Sequence, residues 1–243
     1  MKLALFGYGG HAREVAVQIG QDVTFFVDDD YVTEKTKPIS SFDPSEYVMM
    51  VAVSDVNDRK RIVDSLPKET KYFTFVHPTV LSMDNNIEIG EGSFIGAYSI
   101  LTTNIKVGKH SILNRGNQIG HDTIIGDYFS AMPGAIVSGN VILGESVYMG
   151  TNSSIKEKIQ VCSNVTIGSN ATVIKNIIIG GTYVGVPSKK IKNLKKFKFK
   201  LGDNYYTINY DNQKIVNTVI GQLFHLRDSR RYFVYKLYNL VYF

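Results

Sequence analysis

The sequence predicts an α/β N-terminal Rossmann-like half domain, then a parallel β-helix of hexapeptide repeats, then a C-terminal extension of helices. Three observations carry this. From Ile89 to Ile179 every sixth residue is aliphatic, sixteen in succession without a slip in register. Ahead of that run, an apolar stretch ending at Phe6 leads through Gly7-Tyr8-Gly9-Gly10-His11-Ala12 into a segment of helical spacing. Behind it lies a basic tail rich in Phe and Tyr.

A period of six fits neither a helix nor a half-buried strand, so it is read as a repeat. In a hexapeptide β-helix three short strands make one triangular coil, and the aliphatic position points into the prism. Eighteen residues therefore bring the chain back to the same edge, and about five coils fit between Ile89 and Ile179. Two places before each aliphatic residue sits a small or aliphatic one, such as Ser93, Ser99 or Ala135. A glycine often follows directly, as at Gly90, Gly108 or Gly120, and suits a tight corner that requires positive φ.

Stacking at eighteen residues gives the first functional inference. His121 falls in one column with Thr103, Gly139, Glu157 and Lys175, two places after an inward residue, so it faces outward at a corner. Pro133, Thr151 and Ser169 form a second column, and Asp127, Glu145 and Ser163 a third.

In the N-terminal part, residues 2–6 read as a buried strand, 12–19 as a helix and 23–27 as a second strand ending in Asp28-Asp29-Asp30. This is half of a mononucleotide-binding unit, with glycines that let a phosphate approach the helix N-terminus and Asp28 for a ribose or base donor. Tight strand-to-helix packing without a ligand explains the same glycines. Strands at 47–53 and 72–76 and a helix near 57–66 complete a four-stranded sheet, too small for a full dinucleotide fold. His77-Pro78-Thr79-Val80 marks the boundary, which divides the chain into domains at 1–78, 79–191 and 192–243.

The chain has 243 residues and 44% hydrophobic content, enough for one large or two modest domains. One cysteine, Cys162, excludes an internal disulfide framework and suits a reducing cytoplasm. No leader and no 18-residue apolar run is visible. The net charge of +5 is a C-terminal property: residues 192–243 hold ten Lys/Arg against three Asp/Glu. No nucleic-acid reading motif accompanies it. In that tail Val216, Val219, Ile220 and Leu223 keep helical spacing, as do Phe233, Leu237, Leu240 and Val241, with Asp228-Ser229 as a cap. Such a tail suits peripheral contact with an anionic membrane; packing on the prism or a neighbouring subunit is the other reading.

Gly7-Tyr8-Gly9-Gly10-His11-Ala12, Val27-Asp28-Asp29-Asp30, His77-Pro78-Thr79-Val80, Asn114 with Gly120-His121-Asp122, Pro133-Gly134-Ala135 before Ser138-Gly139-Asn140, and Gly185-Val186-Pro187 together resemble one family. It is the bacterial sialic acid O-acetyltransferase family, whose other branch is the nucleotide-linked 4-amino-sugar N-acetyltransferases. The resemblance covers residues 1–192. It implies a left-handed coil, a homotrimer, acetyl-CoA as co-substrate without a metal, and a nucleotide-linked amino sugar held by the N-terminal domain.

On that resemblance His121 is the catalytic base, oriented by Asp122, and the Gly139 N–H receives the oxyanion. Acetyl-CoA is expected along a groove between two prisms, near Ser130, Gly139, Thr151 and Ser169, with Lys175, Lys189 and Lys190 for its phosphates. Ser130 departs from the family, where a histidine is common. Gly9, Gly10, His11, Asp28 and Asp29 match the sugar-nucleotide positions, with Ser54, Asp55 and His77 beside them. The function implied is N-acetylation of a nucleotide-linked 4-amino-4,6-dideoxyhexose for a surface glycan. O-acetylation of a sialic acid is the alternative in the same chemistry, and a non-catalytic scaffold the alternative outside it. A zinc site needs three histidines at one edge, whereas the repeats contain only His110 and His121, in different columns.

Overall fold

The computed structural model describes residues 1–191, 195–201 and 204–210. The chain falls into two compact units, Met1–Ile191 and Lys192–Phe243.

The first unit opens with β1 (Lys2–Phe6), α1 (Gly10–Ile19), β2 (Val23–Val27), β3 (Lys37–Pro38), β4 (Tyr47–Val51) and α2 (Val56–Ser65). The strands form one parallel sheet in the order β3-β2-β1-β4. Apolar runs at Ala4–Phe6 and Met49–Val51 are buried on both faces, as parallel strands flanked by helices must be. α1 presents Ala12, Val15 and Ile19 to the sheet and ends at Gly20 in the left-handed conformation. α2 is capped by Asp55, whose carboxylate accepts from the N–H groups of Asn57 and Asp58.

The expected fourth strand at 72–76 departs from that reading. Only its start touches the sheet: Met49 donates to the Lys71 carbonyl, and Phe73 donates back to Met49. Phe75–Val76 then pairs with Phe94–Ile95 and becomes the first rung of the prism, with the Phe75 ring stacked on Phe94 at 5.8 Å. The chain is handed from one sheet to the other because Phe75 gains an aromatic partner there.

From Phe75 onward the chain winds through three sheets of five, six and eight strands, the three faces of a prism, parallel except where Gly181–Val184 pairs antiparallel with Lys189–Lys190 at the closing end. Neighbouring strands are offset by eighteen residues between Ile87 and Val173, as in Ile112↔Ser130 and Gln118↔Ile136, by nineteen where Phe75 and Leu81 open the prism, and by sixteen where Gly181 closes it. The inward positions fill the interior, with Ile95, Leu101, Leu113, Met149, Ile155, Ile167 and Val173 wholly buried. The small hydroxyl residues two places earlier are also buried, and each is satisfied: Ser99 donates to the Asn114 carbonyl and Thr123 to that of Ser138.

Two details of the repeat differ from expectation. Ile179 is 60% exposed, because the prism closes one step earlier with Ile177, which bridges to Val161. Positive φ falls three places after the inward residue, at Asn104, His110, Asp122, Tyr128 and Asn140 among others, and not at the glycines that follow it directly. Those glycines answer to space instead. A Cβ on Gly120 would lie 2.5 Å from the Gly139 nitrogen of the next coil.

Arg59 joins the sheet to the prism. It is 1% exposed, and no carboxylate pairs with it among the described residues. Its Nε donates to the His110 carbonyl, Nη1 to those of Val53 and Ser54, and Nη2 to Tyr128, Phe129 and the Ser130 hydroxyl. Burial pushes its pKa down to about 9 against the opposing pull of Asp55, so it stays charged at neutral pH. Beside it His110 is sandwiched by Tyr72 and Tyr128.

The second unit shows an antiparallel hairpin, Lys195–Leu201 with Asn204–Tyr210. The Lys-Phe alternation of residues 196–200 is a strand signal. The helical segments expected near 216–223 and 233–241, with their cap at 228–229, lie outside the described residues. No helix among the described residues is long and apolar enough to cross a membrane.

Two outcomes follow from the joint. Replacing Arg59 with Met leaves several buried acceptors unpaired, so unfolding in urea should show a loss of about 3 kcal/mol or more; a loss under ~1 kcal/mol would contradict the clamp. His11 and His110 are both held down near 4, mainly by burial, against 6.5 in the unfolded chain. Between those values the unfolded chain binds more protons, so stability falls as pH drops through this window, by up to ~1.4 kcal/mol per pH unit for each ring. Urea midpoints across this range should fall less steeply in His110→Asn, in which asparagine tolerates the positive φ.

Candidate active site

One prism edge gathers the groups of an acyl-transfer centre. His121 and Asp122 are exposed at a corner, and the imidazole Nδ1 lies 2.7 Å from Asp122 Oδ2. An ionised carboxylate only accepts, so Nδ1 carries the proton and Nε2 presents a lone pair. That Nε2 lies over Gly139, one coil on, where a Cβ would sit 2.5 Å from it. Glycine is required there by the ring above it. The Gly139 carbonyl accepts from the Lys158 N–H, while its own N–H makes no hydrogen bond among the described residues. A base, a carboxylate that fixes its tautomer, and a free backbone donor thus share one corner.

The carboxylate is itself held. Asp122 Oδ1 accepts from Asn104 Nδ2 at 2.7 Å, and Asn104 Oδ1 accepts from Asn86 Nδ2 at 3.0 Å. The Asn104 amide, and after it His121, keep the Asp122 pKa below the usual carboxylate range. Asn140 closes the column, its Nδ2 3.5 Å from His121 Nδ1. The sequence reading missed Asn86 and Asn104, and gave Asn140 no role beyond its place in Ser138-Gly139-Asn140. They lie eighteen residues apart in line with Asp122, so the spacing that placed His121 also marks them.

The coenzyme positions separate. Thr151 and Ser169 are exposed and stacked on a different edge, and the six-stranded face lies between them and His121. Lys175 and Lys189 meet at the closing end of the prism, lining a cavity of about 300 Å³ with Tyr183 and Pro187. Ser130 is a correction. It is wholly buried, and its hydroxyl donates to the Ser54 carbonyl and accepts from Arg59. It occupies an outward slot on the face that the N-terminal sheet covers, so it belongs to the joint and not to a surface groove.

A second constellation lies at the carboxyl ends of β1, β2 and β4, where open α/β sheets hold ligands. Gly9 and Gly10 begin α1, with no side-chain cap, no acidic residue in the first turn and open space above both Cα atoms. Unsatisfied N–H groups there suit a phosphate. His11 packs edge-on against Phe94, its Nε2 buried without a partner. Asp28 is exposed at the end of β2, and Asp29 accepts from the Ser40 N–H; bonding to the Ser40 side chain, and after it to this N–H, lowers the Asp29 pKa. Ser54 and Asp55 follow β4, with Asp55 engaged as the α2 cap. His77 Nδ1 contacts the Thr79 hydroxyl at 2.8 Å where the prism begins. Among the described residues no group of three His, Cys, Asp or Glu could hold a metal ion.

Comparison with known proteins bears on the fold and the class of activity. Residues 2–66 match the PglD N-terminal domain. The chain is 27% identical over 171 residues to the GDP-perosamine N-acetyltransferase of Escherichia coli O157:H7, covering 63% of this chain and 77% of that protein. It superimposes on WeeI from Acinetobacter baumannii AYE with a TM-score of 0.71 and 26% identity, over 79% of this chain and all of the other. The acetyltransferase domain of PglB from Neisseria gonorrhoeae FA1090, in complex with acetyl coenzyme A, gives a TM-score of 0.58 at 25% identity, over 78% of this chain and 98% of that one. With a PglD-type domain at residues 2–66 and a prism behind it, the chain is similar to sugar acetyltransferases, among them the GDP-perosamine N-acetyltransferase and the PglB acetyltransferase domain.

Proposed function

We propose that the protein transfers the acetyl group of acetyl-CoA to the 4-amino group of a nucleotide-linked 4-amino-4,6-dideoxyhexose. The observation that carries this is the His121–Asp122 pair, with Nε2 poised over Gly139. His121 Nε2 takes a proton from the amine as its nitrogen attacks the thioester carbonyl. The Asp122 carboxylate stabilises the imidazolium so formed, and the Gly139 N–H donates to the developing oxyanion. The C–S bond then breaks, and the imidazolium returns its proton to the departing thiolate.

In this reading residues 1–78 bind the sugar nucleotide through Gly9, Gly10, His11, Asp28 and Asp29, with Ser54, Asp55 and His77 nearby. Residues 79–191 carry the transfer, and 192–243 form an extension. Thr151 and Ser169 reach the coenzyme only from a neighbouring prism, since one chain holds them on another edge from His121. A homotrimer supplies that neighbour, with Lys175 and Lys189 placed for coenzyme phosphates. We assign the enzyme to the cytoplasm and to surface-polysaccharide or lipopolysaccharide O-antigen synthesis. Its basic extension is suited to the adjoining anionic membrane.

Thiol release from acetyl-CoA, measured with GDP-, UDP- and dTDP-linked 4-amino sugars and with free sialic acid, tests the reading. Turnover is expected with an amino-sugar nucleotide, and turnover with sialic acid alone would overturn it. His121→Asn should lower kcat by about 10²-fold or more. Gly139→Ala forces the ring aside and should lower kcat by about 10²-fold with little change in thermal midpoint.

A further inference from the structure

We infer that Asn104 is a positioning residue for this reaction: anchored by Asn86, it fixes the Asp122 carboxylate so that one oxygen faces His121 Nδ1. The inference rests on the acetyl-transfer reading above. Asp122 and His121 are both about half exposed, with side-chain exposures of 45% and 55%. Nothing in their own turn prevents the carboxylate from rotating into solvent, where water competes for its lone pairs.

The coil below supplies the restraint. Asn104 Nδ2 occupies Oδ1 at 2.7 Å, which leaves Oδ2 for the imidazole at 2.7 Å. Asn104 could turn its oxygen towards Asp122, but its Oδ1 is already taken by Asn86 Nδ2 at 3.0 Å. The preceding segment is fixed in turn: the Asn86 N–H donates to Asp84 Oδ1, and the Thr103 hydroxyl is bonded to the other oxygen of Asp84. An ionised carboxylate only accepts, so Asp122 takes the Asn104 amide N–H and turns the Asn104 oxygen to Asn86, and the Asp122 oxygen left over determines which imidazole nitrogen holds the proton. Asn104 and Asp122 both have left-handed backbones, at φ 52 and 56. Asparagine and aspartate tolerate this conformation, and it aims both side chains along the column.

The test compares Asn104→Gly with wild type and repeats the comparison in an Asp122→Asn background. Glycine keeps the left-handed backbone and removes only the amide. The expected result is a fall in kcat of about tenfold or more, with KM for both substrates within twofold, and no further fall in Asp122→Asn. An unchanged kcat, an effect confined to KM, or an equal loss in both backgrounds would overturn it. Ring ¹⁵N shifts of His121 give a readout that needs no turnover: the Nδ1-protonated form should dominate in wild type and lose population in Asn104→Gly and, more weakly, in Asn86→Ala. An unchanged tautomer ratio in both variants would overturn the inference. If wild type acetylates no amino-sugar nucleotide, the function reading fails, and the ¹⁵N ratio still decides the role of Asn104.

Discussion

The structure depends on one constraint, the eighteen-residue return of the prism backbone. Each rung donates to the rung above, as Asn114 N–H does to the Ala131 carbonyl and Gly120 to that of Val137. Side chains eighteen apart therefore stack whether or not they are apolar. Inside the prism this gives a continuous aliphatic core. Outside, it turns a corner into a column, and a column can carry chemistry. His121 sits over Gly139 because the backbone puts it there. Asn86, Asn104, Asp122 and Asn140 form a ladder beside it for the same reason. The site is thus as rigid as the repeat that builds it, an advantage over a site made from free loops.

The sheet domain is fitted to the same frame by different physics. A buried guanidinium has a large desolvation penalty, and here it is met by backbone carbonyls from both sides of the joint. Such an arrangement favours one docking geometry, because a shifted domain would strand both the charge and its acceptors. Since Arg59 grips Val53 and Ser54 on one side and the turn at Tyr128–Phe129 on the other, the loop after β4 is held against the prism. Ser130 completes this clamp. A serine fits beneath Arg59, where an imidazole would compete for the same acceptors.

Much of this was legible in the residues. The six-residue period put His121 outside on a corner with Gly139 and named the inward side chains, and the structure shows the corner and the inward set up to Val173, with Ile179 the exception. The strand-glycine-helix unit was legible because its apolar runs and its glycines mark it locally. Asn104 was readable by the same spacing, but it stands one place along from the His121 column. Arg59 was not readable, because its partners are mostly main-chain carbonyls, some as far as 70 residues away, which leave no side-chain signal. The handover at Tyr72–Val76 was hidden for a related reason: an apolar strand does not disclose which of two sheets it will join. The hairpin at 195–210 was marked by alternating Lys and Phe, which a count of aromatics alone obscures.

The most direct test of the account is a crystal structure of the protein with coenzyme A and an amino-sugar nucleotide. The account predicts the sugar amine within hydrogen-bond reach of His121 Nε2, about 2.6–3.2 Å. It also predicts the coenzyme thiol on the same prism edge, directed at the sugar amine beside that nitrogen. A sugar amine bound out of reach of this ring, or a thiol directed to another edge of the prism, would contradict it.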